Sequence, residues 1–579
     1  MKLKYIALAS GLVLTSLSSC SDFLDKVPDT RVDLKTVEQC RELLVDAYAS
    51  YNYGPVGELS SDNVIDNNSP SDNGVRYNLN SYSSADDELY AWEDVKSGIG
   101  SDTPSGVWEG CYHAIAATNA VLERLAELEK DSLNLSATDL EKLKAVKGEA
   151  LVSRAYHHFI LVNVFCMPYR GTEVNCVDPG VPYVTKPETN VLVHYDRGTV
   201  GEDYEKIEKD LTEGLPLIND GLYEIPRYHF NRAAANAFAA RFYLFKREYD
   251  KVLTYANAAF NGSDPATMMN TIWGQAGNFY YIKDINRYFV SISRPGNFLL
   301  MSTYSTWSRR NISNRYTTNR DAKRATIEGP GPTWEGCKWR NSSTNETFSM
   351  HPAFNGVCGV CSESEYGKYF AGTMGEQFEY TDKVQGIGYV HMVRAEFTAE
   401  ETLLCRAEAK LFLGDTEGCV ADLKIWDEAH KVGVASTSSM IPMTAAAIVK
   451  FYGSKDPGFG IVKPIHIDEV CATPKYKLTA AMEPYMQCIQ HLRRIETIHN
   501  GMRWFDIKRL GLSITHKIGR DEVKTLKSLD PRYAIQIPSE VLSAGLEANP
   551  RLELGKAGSS DAVVVKAIPE TSDNKENHQ

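Results

Sequence analysis

Apolar residues recur every three or four positions over much of this chain, a period that predicts helices. Val37, Cys40, Leu44, Ala47 and Tyr48 predict a first helix over about 37–51. Trp108, Tyr112, Ile115, Asn119 and Leu122 fall on one helical face, and the pattern returns over 145–165, ended by Pro168. Further helices are expected over 200–215 and in places over 444–511. Two stretches lack the period. Residues 52–102 are rich in Asn, Ser, Asp and Gly and read as a long irregular loop, a class that is usually functional or disordered. Residues 262–392 are rich in polar and aromatic residues and read as an insertion of loops, short helices and short strands.

Residues 231–260 predict a helical hairpin. Ala233, Ala237, Ala240, Tyr243 and Leu244 form a close-packing face, and Lys246-Arg247-Glu248 makes the turn. The plan returns 167 residues later: Leu244-Phe245 aligns with Leu411-Phe412, and Val252 with Cys419. Small residues at helix crossings followed by a short polar turn resemble tetratricopeptide pairs. Such pairs cannot bury their faces alone and normally stack. The predicted class is therefore mainly α, with helical hairpins as scaffold and a loop-rich insertion with short strands.

The N-terminus changes the picture of where the chain resides. Lys2 and Lys4 precede an apolar run from Tyr5 to Leu14, then Leu17-Ser18-Ser19-Cys20. Basic end, short apolar middle and small residues before the cut are the layout of a secretory signal. The run is too short for a permanent membrane helix. A cysteine at the expected cut resembles a bacterial lipobox, so Cys20 is the predicted lipidation site. Each buried CH₂ of an acyl chain contributes about 0.8 kcal/mol to anchoring. The predicted organisation is a leader at 1–19, a lipidated tether at 20–36, a helical part at 37–261, the insertion at 262–392, a second helical part at 393–554 and a flexible tail at 555–579.

The net charge is −13, or −15 once Lys2 and Lys4 leave with the leader, which argues against a nucleic-acid partner. The 12 cysteines become 11 if Cys20 is lipidated, so complete internal pairing is excluded. Cys358-Gly-Val-Cys361 reads as a loop pair more readily than as a metal site, because no second ligand pair accompanies it. Cys166 and Cys176 flank a Pro-containing loop and are candidates to pair. No zinc-protease motif, phosphate loop or nucleophile elbow occurs, and no catalytic residue, metal ligand or cofactor is assigned.

Several longer motifs carry a family resemblance. Lys147-Gly148-Glu149-Ala150 with Arg154-Ala155-Tyr156 and Phe159, Arg406-Ala407-Glu408-Ala409 with Gly414-Asp415, and Ile535-Gln536-Ile537-Pro538 resemble segments of the SusD/RagB family. So does Arg493-Arg494-Ile495-Glu496 followed by Gly501-Met502-Arg503-Trp504-Phe505-Asp506 and Arg509. Asn500 stands where the family usually has Glu, and Trp426-Asp427-Glu428 replaces its common Asn/Arg-rich helix end, so the chain resembles a divergent member. The resemblance implies a SusD-like fold and a lipoprotein at the outer-membrane surface of Bacteroidetes. It also implies a TonB-dependent SusC-type channel as partner and an oligosaccharide as ligand, or a peptide as in RagB-type members. Spacing alone lets Arg493, Glu496, Arg503 and Asp506 share a helix face as an exposed ion-pair ladder worth a few tenths of a kcal/mol per pair.

Sugar rings present an apolar C–H face to aromatic rings and hydroxyls to polar side chains, on rigid support. Candidates are Tyr90 and Trp92 beside the first loop, and Tyr304, Trp307, Trp334 and Trp339 in the insertion, with Asp87 and Arg309 as polar partners. An indole here either packs the insertion on the helices or meets a ligand. Trp92 and Trp307 are preferred as ligand-binding because their neighbours lack the apolar repeat of a core helix.

Overall fold

The architecture is that of a computed structural model describing residues 34–554 and 563–564, except 72–73, 75, 99, 131–132, 134, 172–176, 189–193, 270–281, 314, 327–328, 335–337, 341–346, 350–373, 431–440, 454–456, 459, 471–474 and 552. Cys20, Cys176, Cys358 and Cys361 lie outside the described residues. Cys166 is buried with a free thiol.

Two long helices, α1 (Pro104–Lys130) and α2 (Ala137–Phe165), pack along one another, and α3 (Val200–Gly214) packs on α2. Thr199 and Glu202 form a reciprocal capping box that starts α3. The α2–α3 crossing is close because glycine stands on both sides. A Cβ at Gly148 would lie 2.8 Å from the Gly214 carbonyl, and one at Gly214 equally near the Gly148 carbonyl. The polar residues of the same motif are inside. Glu149 accepts from Tyr48 Oη at 2.6 Å and Tyr223 Oη at 2.8 Å, with His229 Nδ1 at 2.8 Å. Arg154 makes a two-pronged pair with Asp210, both contacts 2.7 Å. These bonds satisfy charges that would otherwise be costly to bury.

The first hairpin is α4 (Arg232–Lys246) and α5 (Tyr249–Phe260). Strands β1 (Asn297–Tyr304), β2 (Glu376–Asp382) and β3 (Ile387–Thr398) form one antiparallel sheet with β3 in the centre. β3 runs directly into the second hairpin, α6 (Ala399–Phe412) and α7 (Thr416–Ala429). The hairpin starts are 167 residues apart, as the repeat predicts. α5 lies against α6, so the two hairpins stack although the insertion separates them in sequence. α8 (Glu483–Glu496) packs on α6, α9 (Met502–Leu510) follows, and strands β4 (Ile514–Ile518) and β5 (Glu522–Leu526) form a hairpin. Val563–Val564, within the expected tail, pairs with Glu553–Leu554. Among the described residues, no helix is long and apolar enough to cross a membrane.

Three expectations are corrected. The first helix is Val37–Leu43 followed by a 3₁₀ turn, Leu44–Ala47, and stops before Tyr51. The stretch after it is no irregular loop throughout. It holds helices Gly54–Ser60 and Ser84–Tyr90, and the first is buried from end to end. The C-terminal motif is no exposed ladder. Gly501, at φ +87, splits it between α8 and α9, and a Cβ on Gly57 would meet its carbonyl at 2.4 Å. Arg493 and Asp506 then pair between helices at 3.0 Å, Arg509 clamps Glu408 at 2.7 and 2.9 Å, and Arg503 reaches Asp62 at 2.8 Å. Glu496 accepts instead from Trp426 Nε1 at 3.0 Å.

Candidate functional site

The three-stranded sheet presents aromatic rings at the surface. Tyr304 pairs with His391 across β1–β3, and His391 with Gln377 across β3–β2. Side chains of paired residues share a face, and so do residues two apart. Tyr304, Tyr389, His391, Gln377 and Glu379 therefore stand on one side of the sheet. The Tyr304 and Tyr389 rings meet edge to face, centroids 4.9 Å apart, and Tyr304 is 39% exposed. Tyr51 extends the row. It bridges to Tyr304 in parallel, Tyr304 N donates to the Ser50 carbonyl at 2.6 Å, and the two rings lie 6.3 Å apart.

Glu379 and His391 border these rings, whereas Glu376, with Arg309, stands on the opposite face of the sheet. A hydrogen bond to the exposed Glu379 carboxylate pushes the Tyr389 hydroxyl up to about 12. His391 Nδ1 is 4.0 Å from Glu379 Oε2 and makes no hydrogen bond. Arg309, half exposed, pairs with Glu376 at 2.7 Å, while its backbone N donates to the same carboxylate at 3.1 Å. Tyr82 is 55% exposed, with the Arg310 guanidinium 5.0 Å from its ring centre. Arg310 is itself held by Asp86 and Asp102, so a buried ion pair fixes a surface ring. Asp87 is partly exposed and accepts from Ser81, Tyr316 and Arg315.

The tryptophans lie elsewhere. Trp307 opens the helix Trp307–Ser313 and is wholly buried, its Nε1 donating to the His499 carbonyl at 3.1 Å. Trp334 is wholly buried, bonded to the Gly329 carbonyl at 3.0 Å. Trp92 is 7% exposed, stacks on His516 at 4.0 Å and donates to the Ser60 carbonyl at 2.8 Å. Its φ of +53 is unusual for a bulky residue, and these contacts hold it there. Tyr90, 1% exposed, lies between Tyr316 and His516 at 4.3 and 4.1 Å. These four expected ligand rings are core residues whose faces are covered by protein. Trp339 sits on a short strand opposite Phe348.

Of the sequence candidates, Tyr304, Arg309 and Asp87 are solvent-accessible. Tyr51, Tyr389 and Glu379 join Tyr304 at the sheet, and Tyr389 and its neighbours had a readable signal. Phe378/Tyr380 and Tyr389/His391 alternate on either side of Asp-Lys-Val-Gln-Gly, the mark of a hairpin. Surface rings set beside the Glu379 carboxylate suit a polyhydroxylated ligand, with C–H faces on the rings and hydroxyls on the carboxylate. No group of three or more His, Cys, Asp or Glu among the described residues is placed to hold a metal ion.

Residues 22–244 match a SusD-like family model described as "Starch-binding associating with outer membrane". No curated protein matches the chain. Among solved structures, a SusD superfamily protein from Bacteroides thetaiotaomicron is 18% identical at a TM-score of 0.55, covering 89% of this chain and 100% of that one. A putative sugar binding protein from Bacteroides vulgatus is 16% identical at 0.55, covering 90% and 99%. A laminarin binding SusD-like protein is 16% identical at 0.50, covering 89% and 100%. At such identities the likeness establishes the fold, which is SusD-like and mainly α.

Proposed function

We propose, from the premise that this chain is a SusD/RagB-family protein, that it is a non-catalytic, lipid-anchored receptor for oligosaccharides. It captures them at the outer-membrane surface and passes them to a SusC-type TonB-dependent channel. The observation that carries the ligand class is the Tyr304–Tyr389 ring pair, with Tyr304 exposed and the Glu379 carboxylate bonded to the Tyr389 hydroxyl. Tyr304 is 39% exposed, both rings are rigidly seated on strands, and Glu379 on the neighbouring strand offers a hydrogen-bonding group. Cys20 is the proposed anchor. Tethering beside a channel raises local concentration, so modest affinity at an open surface suffices.

The bound polymers of similar proteins select the first probes: soluble starch and laminarin. Affinity electrophoresis with each should retard the chain, and Tyr304→Ala and Tyr389→Ala should restore free migration without changing the melting temperature by more than a few degrees. Retardation unchanged in both variants would remove this surface from the reading.

A second reading rests on Glu379, whose carboxylate beside the rings makes their surroundings acidic. Such a field favours cationic peptides. Binding of basic peptides that is lost in moderate salt, with no glycan retardation, selects that reading.

A further inference from the structure

A second cavity shares no lining residue with the tyrosine surface. It holds about 180 Å³, many times the roughly 10–15 Å³ that one water requires. Its wall is made by the turn after helix Gly54–Ser60, the short helix Arg320–Arg324, α8 and β4.

The charges around it are unbalanced. Arg494, Lys463 and Lys517 line it, together with Asp62 and Asp321. Arg503 stands behind, bound to both Asp62 oxygens at 2.8 and 3.1 Å and to Gln490 at 2.8 Å. Asp62 is thus already occupied by a two-pronged guanidinium. Arg494 donates to Asn63 Oδ1 at 2.9 Å and to the Asp62 carbonyl at 2.6 Å, with its nearest carboxylate oxygen 3.5 Å away. The Lys463 ammonium also reaches Asp62 only at 3.5 Å, and its side chain is 19% exposed. Four cations therefore face two carboxylates. This occurs in a chain of net charge −13, so general basicity is not the source. Glu58, buried beside Arg494, does little to correct it: burial pushes its carboxyl up to about 7. His516 offers a ligand no free nitrogen, as its ring atoms contact the Tyr90 and Ser61 carbonyls at 2.7 and 2.9 Å.

Burial penalises an under-neutralised ammonium, and Lys463 is held below its ordinary value by burial, opposed by Asp62. An anion in the cavity would relieve that penalty. The apolar wall supplied by Val64, Ile65, Pro70 and Ala322 leaves room for more than the bare ion.

We propose that this cavity binds a small oxyanion-bearing ligand, with Lys463 and Arg494 donating to its carboxylate, sulfate or phosphate group and Lys517 at the rim. The group reaches the site either as a free inorganic ion or on an acidic sugar. Neither source depends on the tyrosine surface binding glycans.

Calorimetric titration of the purified chain at low ionic strength tests this, with sodium sulfate, sodium phosphate and sodium glucuronate as probes and glucose as the uncharged control. The expected result is saturable binding of at least one anion at one site per chain, no heat from glucose, and affinity weakened about tenfold or more in Lys463→Gln. Sulfate or phosphate without glucuronate identifies a free ion as the ligand; glucuronate as the tightest probe identifies an acidic sugar. Should Lys463→Gln fail to fold, Lys517→Gln on the exposed side of β4 is the second variant, expected to weaken binding severalfold with an unchanged melting temperature. No anion binding at millimolar concentration overturns the proposal, and so does an affinity indifferent to the charge removed in whichever variant folds.

Discussion

Arg241 on α4 and Glu396 on β3 form a buried ion pair at 2.7 Å that joins the helical scaffold to the strand carrying Tyr389. Arg241 also binds Glu401 at 2.7 Å and the Glu396 carbonyl, and its guanidinium stacks 4.1 Å from the Phe397 ring centre. Tyr53 and Arg394 complete the contacts of Glu396. Removing the cation leaves two buried carboxylates short of a partner. Arg241→Ala should therefore destabilise the fold by about 3–5 kcal/mol. Urea unfolding measures this; a loss below about 1 kcal/mol would mean that Arg394 or water takes over.

The buried tryptophans and exposed tyrosines should separate cleanly in mutagenesis. Trp307→Ala empties a fully enclosed site and removes the indole that donates to the His499 carbonyl, at a cost of about 3–5 kcal/mol in stability. Tyr389→Ala removes a ring at the surface and should change stability by less than about 1 kcal/mol. Glycan retardation should follow the opposite order, lost in Tyr389→Ala and retained by whatever Trp307→Ala protein remains folded. A stable Trp307→Ala protein that has lost glycan binding would return Trp307 to the ligand.

The contrast between these residues also marks how far the sequence could be read. The hairpins were legible because alanines at helical spacing and a short polar turn are local signals. Both copies start at the offset of 167 that the aligned residues carry. Trp307 was not legible, because its burial is made by His499, 192 residues away, while its near neighbours are polar. Asn63 and Asp66 read as loop residues for the same reason. They are buried and bound to Arg494 and Arg315, far along the chain. The Arg493–Asp506 pair failed as a local reading at a single residue: Gly501 in left-handed backbone turns one expected helix into two.

The anchor has its own test. If Cys20 carries acyl chains, Cys20→Ala removes the only proposed attachment, and the protein should leave the membrane fraction for the soluble one when cells are lysed. Metabolic labelling with palmitate should mark the wild type and miss the variant. A Cys20→Ala protein that still sediments with membranes after a carbonate wash would require another mode of attachment.

Asp203 on α3 sets a pH dependence. Its Oδ2 accepts from Val181 N at 2.8 Å, while its buried Oδ1 makes no hydrogen bond. Burial pushes the carboxyl up to about 8 from an ordinary 3.8. Between those values the folded state holds a proton that the unfolded state has released. The contribution to stability is fully present below about 3.8 and is lost as pH rises towards 8. Asp203→Asn keeps an acceptor for Val181 N and removes the titration. Glu58, raised to about 7, and Lys508, held down to about 7 by burial, titrate in both proteins and cancel in the comparison. The melting temperature of the wild type minus that of Asp203→Asn should therefore fall steadily from pH 4 to pH 8. A difference that stays constant across this range would mean that Asp203 ionises in the folded protein as it does in water.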